Sequence, residues 1–595
     1  MASPSSPVAP DSALSPVSLE VRGNRGLTLH ALTSAEDIEW RNDSDEVLGT
    51  GRTFFDRSPS EALVVVAREG DEQARVRVRA RNVFTTHAVF DAPSVLAALR
   101  DDGSVVTWGG ENHPALLPPE LGARLTGVRT LCGTSQAFVA LRGDGTAEAW
   151  GHQDFGGTLP EEARSGVRTV TDTLSAFAVL KEDGSVVAWG NPAEGGDISA
   201  VADELTSDVL AVLQVETFFI AYKKGGGVVT WGDPKVGGDS SAVREELRSG
   251  VVGLIPNFGA VTALKEGGAV VAWGDPEAGG VPDEATREQL KEGVKSVHFS
   301  MYAFAALKED GSVVVWGDPE TGGDSRAVAD QLSSGVVAVY STAQAFAALK
   351  DDGSVVTWGG EKGGDSSAVR EQLQSGVKEV FATTFAFAAL KEDGSVVNWG
   401  HYGFEPGDPG PNNVGDPDVI AQLSGGVERV LHFLVAYVGF KADGSVVTWG
   451  GTLYGADSSA VHERLQQGVL DVYMNGPGTS LAALMRDGSV VTWGYAEAGG
   501  DSSSVARELA EGVHAVYRGY GALAAVKQSS LVAWGMPKDG GDASGVREEL
   551  EGRISYAEAP ARATSALCQG LLSREDSFWR SAAPWSRLQG RGQRR

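Results

Sequence analysis

Two cysteines in 595 residues, Cys132 and Cys568, cannot knit a disulfide scaffold. The nine histidines are scattered, none at metal-ligand spacing, so neither a metal nor any other cofactor is expected. No Gly-Lys pair occurs, which excludes a Walker A loop. Neither a Gly-x-Ser-x-Gly elbow nor a His-Glu-x-x-His helix is present, so the common hydrolase motifs are absent. No run of about 18 apolar residues exists, and no transmembrane helix is expected. Residues 1–16 lack a basic start and an apolar centre, so a Sec signal is not expected, leaving a cytoplasmic location or export by another route. Positive charge is also short. Against 79 acidic residues stand 50 Lys and Arg, for a net charge of −29, which argues against nucleic acid as the main partner.

Glycine, in contrast, is abundant at 78 residues, about 13% where about 7% is usual. A repeat explains it. Trp108, Trp150, Trp189, Trp231, Trp273, Trp316, Trp358, Trp399, Trp449, Trp493 and Trp534 recur about every 42 residues, each inside a variant of Lys391-Glu392-Asp393-Gly394-Ser395-Val396-Val397-Asn398-Trp399-Gly400. Asp-Gly between the apolar runs 386–390 and 396–399 predicts a tight hairpin with a type I′ turn. Eight copies keep Asp-Gly, while copies four and five carry Gly225-Gly226 and Gly267-Gly268. Copy eleven has Gln528-Ser529 and is expected to turn less well.

Copy eight gives the unit: a first strand at 376–381 with alternating apolar residues, a second at 385–390 apolar on both faces, a third at 396–399. A strand apolar on both sides needs cover on both sides, which stacked blades supply. In most copies a short amphipathic helix is expected next, as at 363–376, with Asp365 as N-cap, Val369 and Leu373 on one face and Gly376 as the stop. Similar pieces begin at Asp239, Asp324, Asp457, Asp501 and Asp542. Four domains are predicted: a disordered leader, 1–16; a small immunoglobulin-like β-sandwich, 17–82; the array, 83–568; a basic disordered tail, 569–595. The sandwich rests on strands expected at 27–31, 38–41, 63–67 and 74–80, with Trp40 as core anchor. A Gly/Pro-rich insertion spans 401–418, and 553–556 with 563–568 suggest two strands of a partial twelfth copy. The tail carries Arg574, Arg580, Arg587, Arg591, Arg594 and Arg595 beside Trp579 and Trp585. The fold class is therefore all-β: a β-propeller-like array of about eleven three-stranded units, most with a short helix, after a small β-sandwich.

The unit Ala-Leu-Lys-Glu-Asp-Gly-Ser-Val-Val-x-Trp-Gly, preceded by Gly-Val-x-x-Val, resembles the regulator of chromosome condensation repeat. The short period, with Leu159-Pro160-Glu161-Glu162-Ala163-Arg164-Ser165-Gly166-Val167, is more similar still to the bacterial propeller-type β-lactamase inhibitor protein. The resemblance implies β-propeller blades, three-stranded ones in the bacterial case. Eleven copies depart from the seven blades of the family, which leaves one larger ring, two rings or an open solenoid. The Gly-Gly-Asp-Ser-Ser helix start replaces the family's usual pattern after Trp-Gly, and nothing matches the wedge insertion of the eukaryotic member. Guanine nucleotide exchange and chromatin binding are therefore not carried over.

Carboxylates that recur with the period read as structural. Asp275, Asp318 and Asp324 would suit calcium only if six to eight oxygens converged, and helix capping explains Asp324 without a metal. Fourteen residues before each marker Trp the sequence varies: Ser94, Gln136, Ser175, Thr217, Gly259, Tyr302, Gln344, Phe385, Val435, Thr479 and Tyr520. These fall at the turn between first and second strands. Tyr302, Phe385, Tyr520, Gln344 and Gln136 are the candidate partner-binding residues, because aromatics among polar groups suit an interface core. Packing between blades is the structural alternative. The expected function is non-catalytic protein binding, by an inhibitor or scaffold. A polysaccharide- or peptide-cleaving propeller, with carboxylates from copies four, five and nine, and a surface adhesin are the alternatives.

Overall fold

The computed structural model describes residues 17–557 apart from 26, 60, 71, 88–92, 402–412 and 477. The leader 1–16, most of the insertion, the segment 563–568 and the tail 569–595 lie outside the described residues. Among those described, the chain forms two compact units, 17–81 with 555–557, and 82–554.

In the larger unit, the five consecutive residues Ala386 to Leu390 each expose 1% or less. No single sheet face can hide such a strand, so it must sit between neighbours. It pairs with Val377–Ala382 on one side and Val396–Gly400 on the other, giving an antiparallel sheet in the order of the chain. The same three-stranded sheet occurs eleven times. Opposite each Trp on the second strand stands Phe, Tyr, Leu or Val; Phe346 lies across from Trp358 and stacks on it at 5.3 Å.

Each indole also reaches the preceding blade. Trp358 Nε1 donates to Gly322 O at 3.1 Å, Trp316 to Gly279 O at 3.1 Å, Trp534 to Gly499 O at 2.9 Å. Trp108, in blade 1, donates to Gly540 O at 2.9 Å, and Gly540 belongs to blade 11. The array thus closes on itself as one ring of eleven blades, which answers the question left by the repeat count. Blade 9 is the variant: beside the insertion, Trp449 donates to Asn398 Oδ1 at 2.7 Å instead.

Two local expectations change. The hairpin loop has three residues rather than two. Gly394 N bonds Lys391 O at 3.0 Å and Lys391 N bonds Ser395 O at 2.8 Å. Gly394 alone takes positive φ, at 77°; Asp393 does not. This is a type I turn followed by a left-handed glycine, not type I′. Asp is preferred because Asp393 Oδ1 accepts from Ser395 N (2.9 Å) and Ser395 Oγ (2.6 Å). Copy eleven still turns, one residue shorter, with Lys527 N on Ser530 O at 2.8 Å. The expected amphipathic helices are mostly 3-10 turns, as at Ser367–Leu373 and Ser241–Val243. Leu373 is the one buried residue of the first, and the second has none. Asp365 sits one position further out than an N-cap and accepts from Ser367 N at 2.8 Å. Glu284–Gln289 and Pro417–Leu423 are α-helical.

The smaller unit is a β-sandwich of seven strands: β1 (Glu20–Gly23), β2 (Thr28–Leu32), β3 (Asp37–Asn42), β4 (Val47–Thr50), β5 (Thr53–Phe55), β6 (Leu63–Glu69) and β7 (Glu72–Val78). One sheet runs β1-β2-β5, the other β4-β3-β6-β7. Trp40 is fully buried, stacks on Phe54 at 5.2 Å and donates to Gly51 O at 2.8 Å. Val76 and Val78 face inward, while Arg75 and Arg77 pair outside with Asp45 and Asp43. A buried ion pair absent from the sequence reading, Arg25–Asp56 at 2.6 Å, ties the loops. Residues 555–557 join this unit instead of opening a twelfth repeat: Tyr556 O accepts from Arg79 N, its hydroxyl donates to Gly23 O at 2.8 Å, and Ala557 bridges Val78.

Candidate binding face

The two ends of the blades differ. At the hairpin end the repeated residues are used by the scaffold. Lys391 Nζ donates to Gln372 O at 2.9 Å, near the end of the preceding 3-10 turn; Lys181, Lys350 and Lys527 make the equivalent bond in their blades, and Lys308 and Lys441 make it to the α-helices Glu284–Gln289 and Pro417–Leu423. The Ser395 hydroxyl and N–H hold the Asp393 carboxyl below the usual carboxylate range, and the same contact acts on Asp183, Asp310, Asp352 and Asp443. Asp275 and Asp318, after the Trp, accept from Glu277 N (2.9 Å) and Glu320 N (3.0 Å). Asp324 accepts from Arg326 N at 2.9 Å; the Arg326 side chain lowers its pKa to about 2. These carboxylates are turn caps. Among the described residues no group of three or more His, Cys, Asp or Glu is placed to hold a metal ion.

The opposite end holds the turn between first and second strands. Here blades are stitched through backbone: Met301 N to Ala343 O, Ala343 N to Thr384 O and Thr384 N to Leu434 O, at 2.8–2.9 Å. The residue after each donor is the variable one, and its carbonyl is taken too. Tyr302 O accepts from Asp318 N, Gln344 O from Gly360 N, Phe385 O from His401 N and Gln136 O from His152 N. Tyr302, Gln344 and Phe385 lie on consecutive blades 6, 7 and 8; Gln136 is on blade 2 and Tyr520 on blade 11. The five are not gathered in one patch. Phe385 is only 6% exposed, with Lys362 Nζ 4.4 Å from its ring centre, so it packs between blades. Tyr302 is half-buried against the core of its blade and meets Phe258 edge-on at 6.4 Å. Tyr520 is out of register: the shorter hairpin of copy eleven makes Gly521 the equivalent residue, with Gly521 O accepting from Met536 N at 2.8 Å.

A second variable set, missed from sequence, is created by backbone geometry. The first strand is an edge of every blade sheet, and first strands of neighbouring blades touch, whereas third strands meet the 3-10 turns. First strands therefore form the inner wall of the ring. In ten blades the register shifts after the first valine, so the next residue is skipped by the strand ladder as a bulge. Eight of these bulge residues, in blades 2 to 9, are exposed: Arg129, Arg168, Leu210, Val252, Lys295, Val337, Lys378 and Glu428. Leu210 exposes 48%, Val252 36% and Val337 47%, on blades 4, 5 and 7 at the same position of the unit. The sequence signal was the first x of Gly-Val-x-x-Val. Nothing in the pattern announced a bulge.

No model of a known protein family matches the chain, and no curated protein matches it. Similar solved structures include the receptor kinase CR4 ectodomain of Physcomitrella patens (16% identity over 49% of this chain and 76% of that one, TM-score 0.25). Others are the CRINKLY WD40 ectodomain of Arabidopsis thaliana ACR4 (17%, 48% and 94%, TM-score 0.26) and Saccharomyces cerevisiae Prp20p, studied for its binding to Gsp1p and histones (14%, 69% and 83%, TM-score 0.23). A further one is yeast RCC1 (Prp20) bound to Kap60 (15%, 46% and 74%, TM-score 0.26).

Proposed function

We propose that the ring is a non-catalytic protein-binding module that grips its partner by the bulge residues of its inner wall. The observation that carries this is the exposure of Leu210, Val252 and Val337 at positions that vary, on a scaffold whose repeated polar side chains are spent on turns and caps. Apolar side chains left in water at a scaffold edge gain free energy when a partner covers them. Lys295 lies between the last two, on blade 6, and adds a charge that selects orientation. An inhibitory role, as in the short-repeat bacterial propellers the chain resembles, is the finer form of this reading. Half-buried Tyr302 and Gln344 are secondary contacts in it.

The test is capture of partners from a lysate by the whole chain and by the Leu210→Asp/Val252→Asp/Val337→Asp variant. Loss of the captured species, with an unchanged thermal unfolding midpoint, is the expected result. Undiminished capture by the folded variant would remove the inner wall as the binding face.

A further inference from the structure

We propose that the seam between blades 11 and 1 is a proton-dependent latch, held tightest when the Asp539 carboxyl carries a proton. Asp539 precedes the left-handed glycine that accepts the Trp108 indole, so it sits beside the bond that closes the ring. Its side chain is fully buried. Oδ1 accepts from Ser94 N at 3.1 Å and from Ser94 Oγ at 3.3 Å, both in blade 1. Oδ2 is buried and has no hydrogen-bond partner. It faces Gly521, where even a Cβ would come within 2.3 Å of it, and the Met536 sulfur lies against the same spot.

The arrangement is peculiar to the seam. At the corresponding place blades 5, 6 and 10 bury a neutral residue, Ala278, Thr321 and Ala498, and blade 7 carries half-buried Lys362. Glu194 in blade 3 is partly exposed and accepts from Ser175 of its own blade at 2.5 Å. In blade 11 the same-blade counterpart of Ser175 is Gly521, which has no side chain to offer, and the carboxyl turns to the next blade.

An ionised carboxylate with one oxygen buried and undonated is costly, because water cannot reach it and no N–H replaces water. Protonation at Oδ2 removes the charge and leaves Oδ1 free to keep both Ser94 bonds. Burial pushes the carboxyl up from its ordinary value, against the lowering effects of the Ser94 donors and of Lys538, the nearby charge. The folded ring thus holds this proton more tightly than the unfolded chain does. Its contribution is full below the unfolded value and is lost as pH rises through the raised, folded one. Arg100–Glu549 at 3.4 Å also crosses the seam, but Glu549 is mostly exposed and water screens the pair.

Amide hydrogen exchange on the full chain, corrected for intrinsic rates, tests this at pH 5 and pH 8. Peptides covering residues 94–99, 105–109 and 531–535 report on the seam; those covering 345–350 and 355–359 report on the blade 6–7 junction. The expected result is seam protection at least fivefold lower at pH 8 than at pH 5, with the control junction unchanged and the dependence lost in Asp539→Asn. A seam that tracks the control at both pH values in the unmodified protein overturns the latch, whatever the variant does. So does a folded Asp539→Asn protein that keeps the pH dependence.

Discussion

At the scale of the residue, Asp393 shows how much of the repeat motif is scaffold. Its carboxylate accepts from the Ser395 N–H and hydroxyl and is held below the ordinary range, as are Asp310, Asp352 and Asp443 in their own hairpins. A carboxylate with a depressed folded pKa stabilises above its unfolded value and loses that contribution as pH falls through the folded one. The urea midpoint should therefore drop between pH 5 and pH 3. Changing those four aspartates to asparagine should flatten the drop while lowering the midpoint at pH 6 only modestly. An unaltered acid profile would assign acid sensitivity to other groups. His298 runs the same way: desolvation pushes it down to about 4, so it is neutral near pH 7 and opposes folding only once acid forces a proton on it.

At the scale of the element, the three-residue loop makes neighbouring hairpins chemically alike but sterically distinct. Gly394 has φ 77°, and a Cβ there would lie 2.7 Å from Gly426 N in the next blade; Gly444 has φ 83° with nothing within 4 Å. Gly444→Ala should cost only the left-handed strain, about 1–2 kcal/mol. Gly394→Ala should cost more, because backbone cannot give way as a side chain can. Denaturant unfolding of the two single variants decides it, and equal costs would mean the blades relax freely at that contact. The hairpin itself was legible from Asp-Gly between apolar runs. The loop length was not, because Asp-Gly suits a two-residue loop as well, and only the Ser395 pairing separates them.

At the scale of the whole molecule, closure has a direct consequence for Trp108. In an open array its indole would stand at an unpartnered end; in the ring it is 5% exposed and bonded to Gly540. Trp108→Ala should thus cost roughly as much as Trp358→Ala, about 3–5 kcal/mol each by the usual range for buried aromatics. A Trp108 cost below about 1 kcal/mol, with Trp358 in the expected range, would mean the ring does not close in solution. The mid-array tryptophans were readable as blade anchors from their period alone. The candidate site was not readable in the same way. Tyr302 and Phe385 stand out in the sequence as aromatics at a varying position, but their burial was not legible there: Phe385 is 6% exposed and Tyr302 is half-buried against its blade's core. Tyr520 entered the set only because a shortened hairpin shifts the count by one.

What the sequence by itself determined is the unit and its repetition: three strands, a turn closed by glycine, an indole per copy, and a second strand too apolar to lie at any surface. Those follow from local rules, since hairpin chemistry and two-sided burial are written within about 42 residues. Only the tertiary structure decided that eleven copies close, that Ser555 to Ala557 leave the array for the sandwich, and that the first strand carries a bulge. Each depends on contacts between residues far apart in the chain or on how unlike blades share one wall. No period in the sequence encodes such contacts, and the exposed Leu210, Val252 and Val337 come from that shared wall.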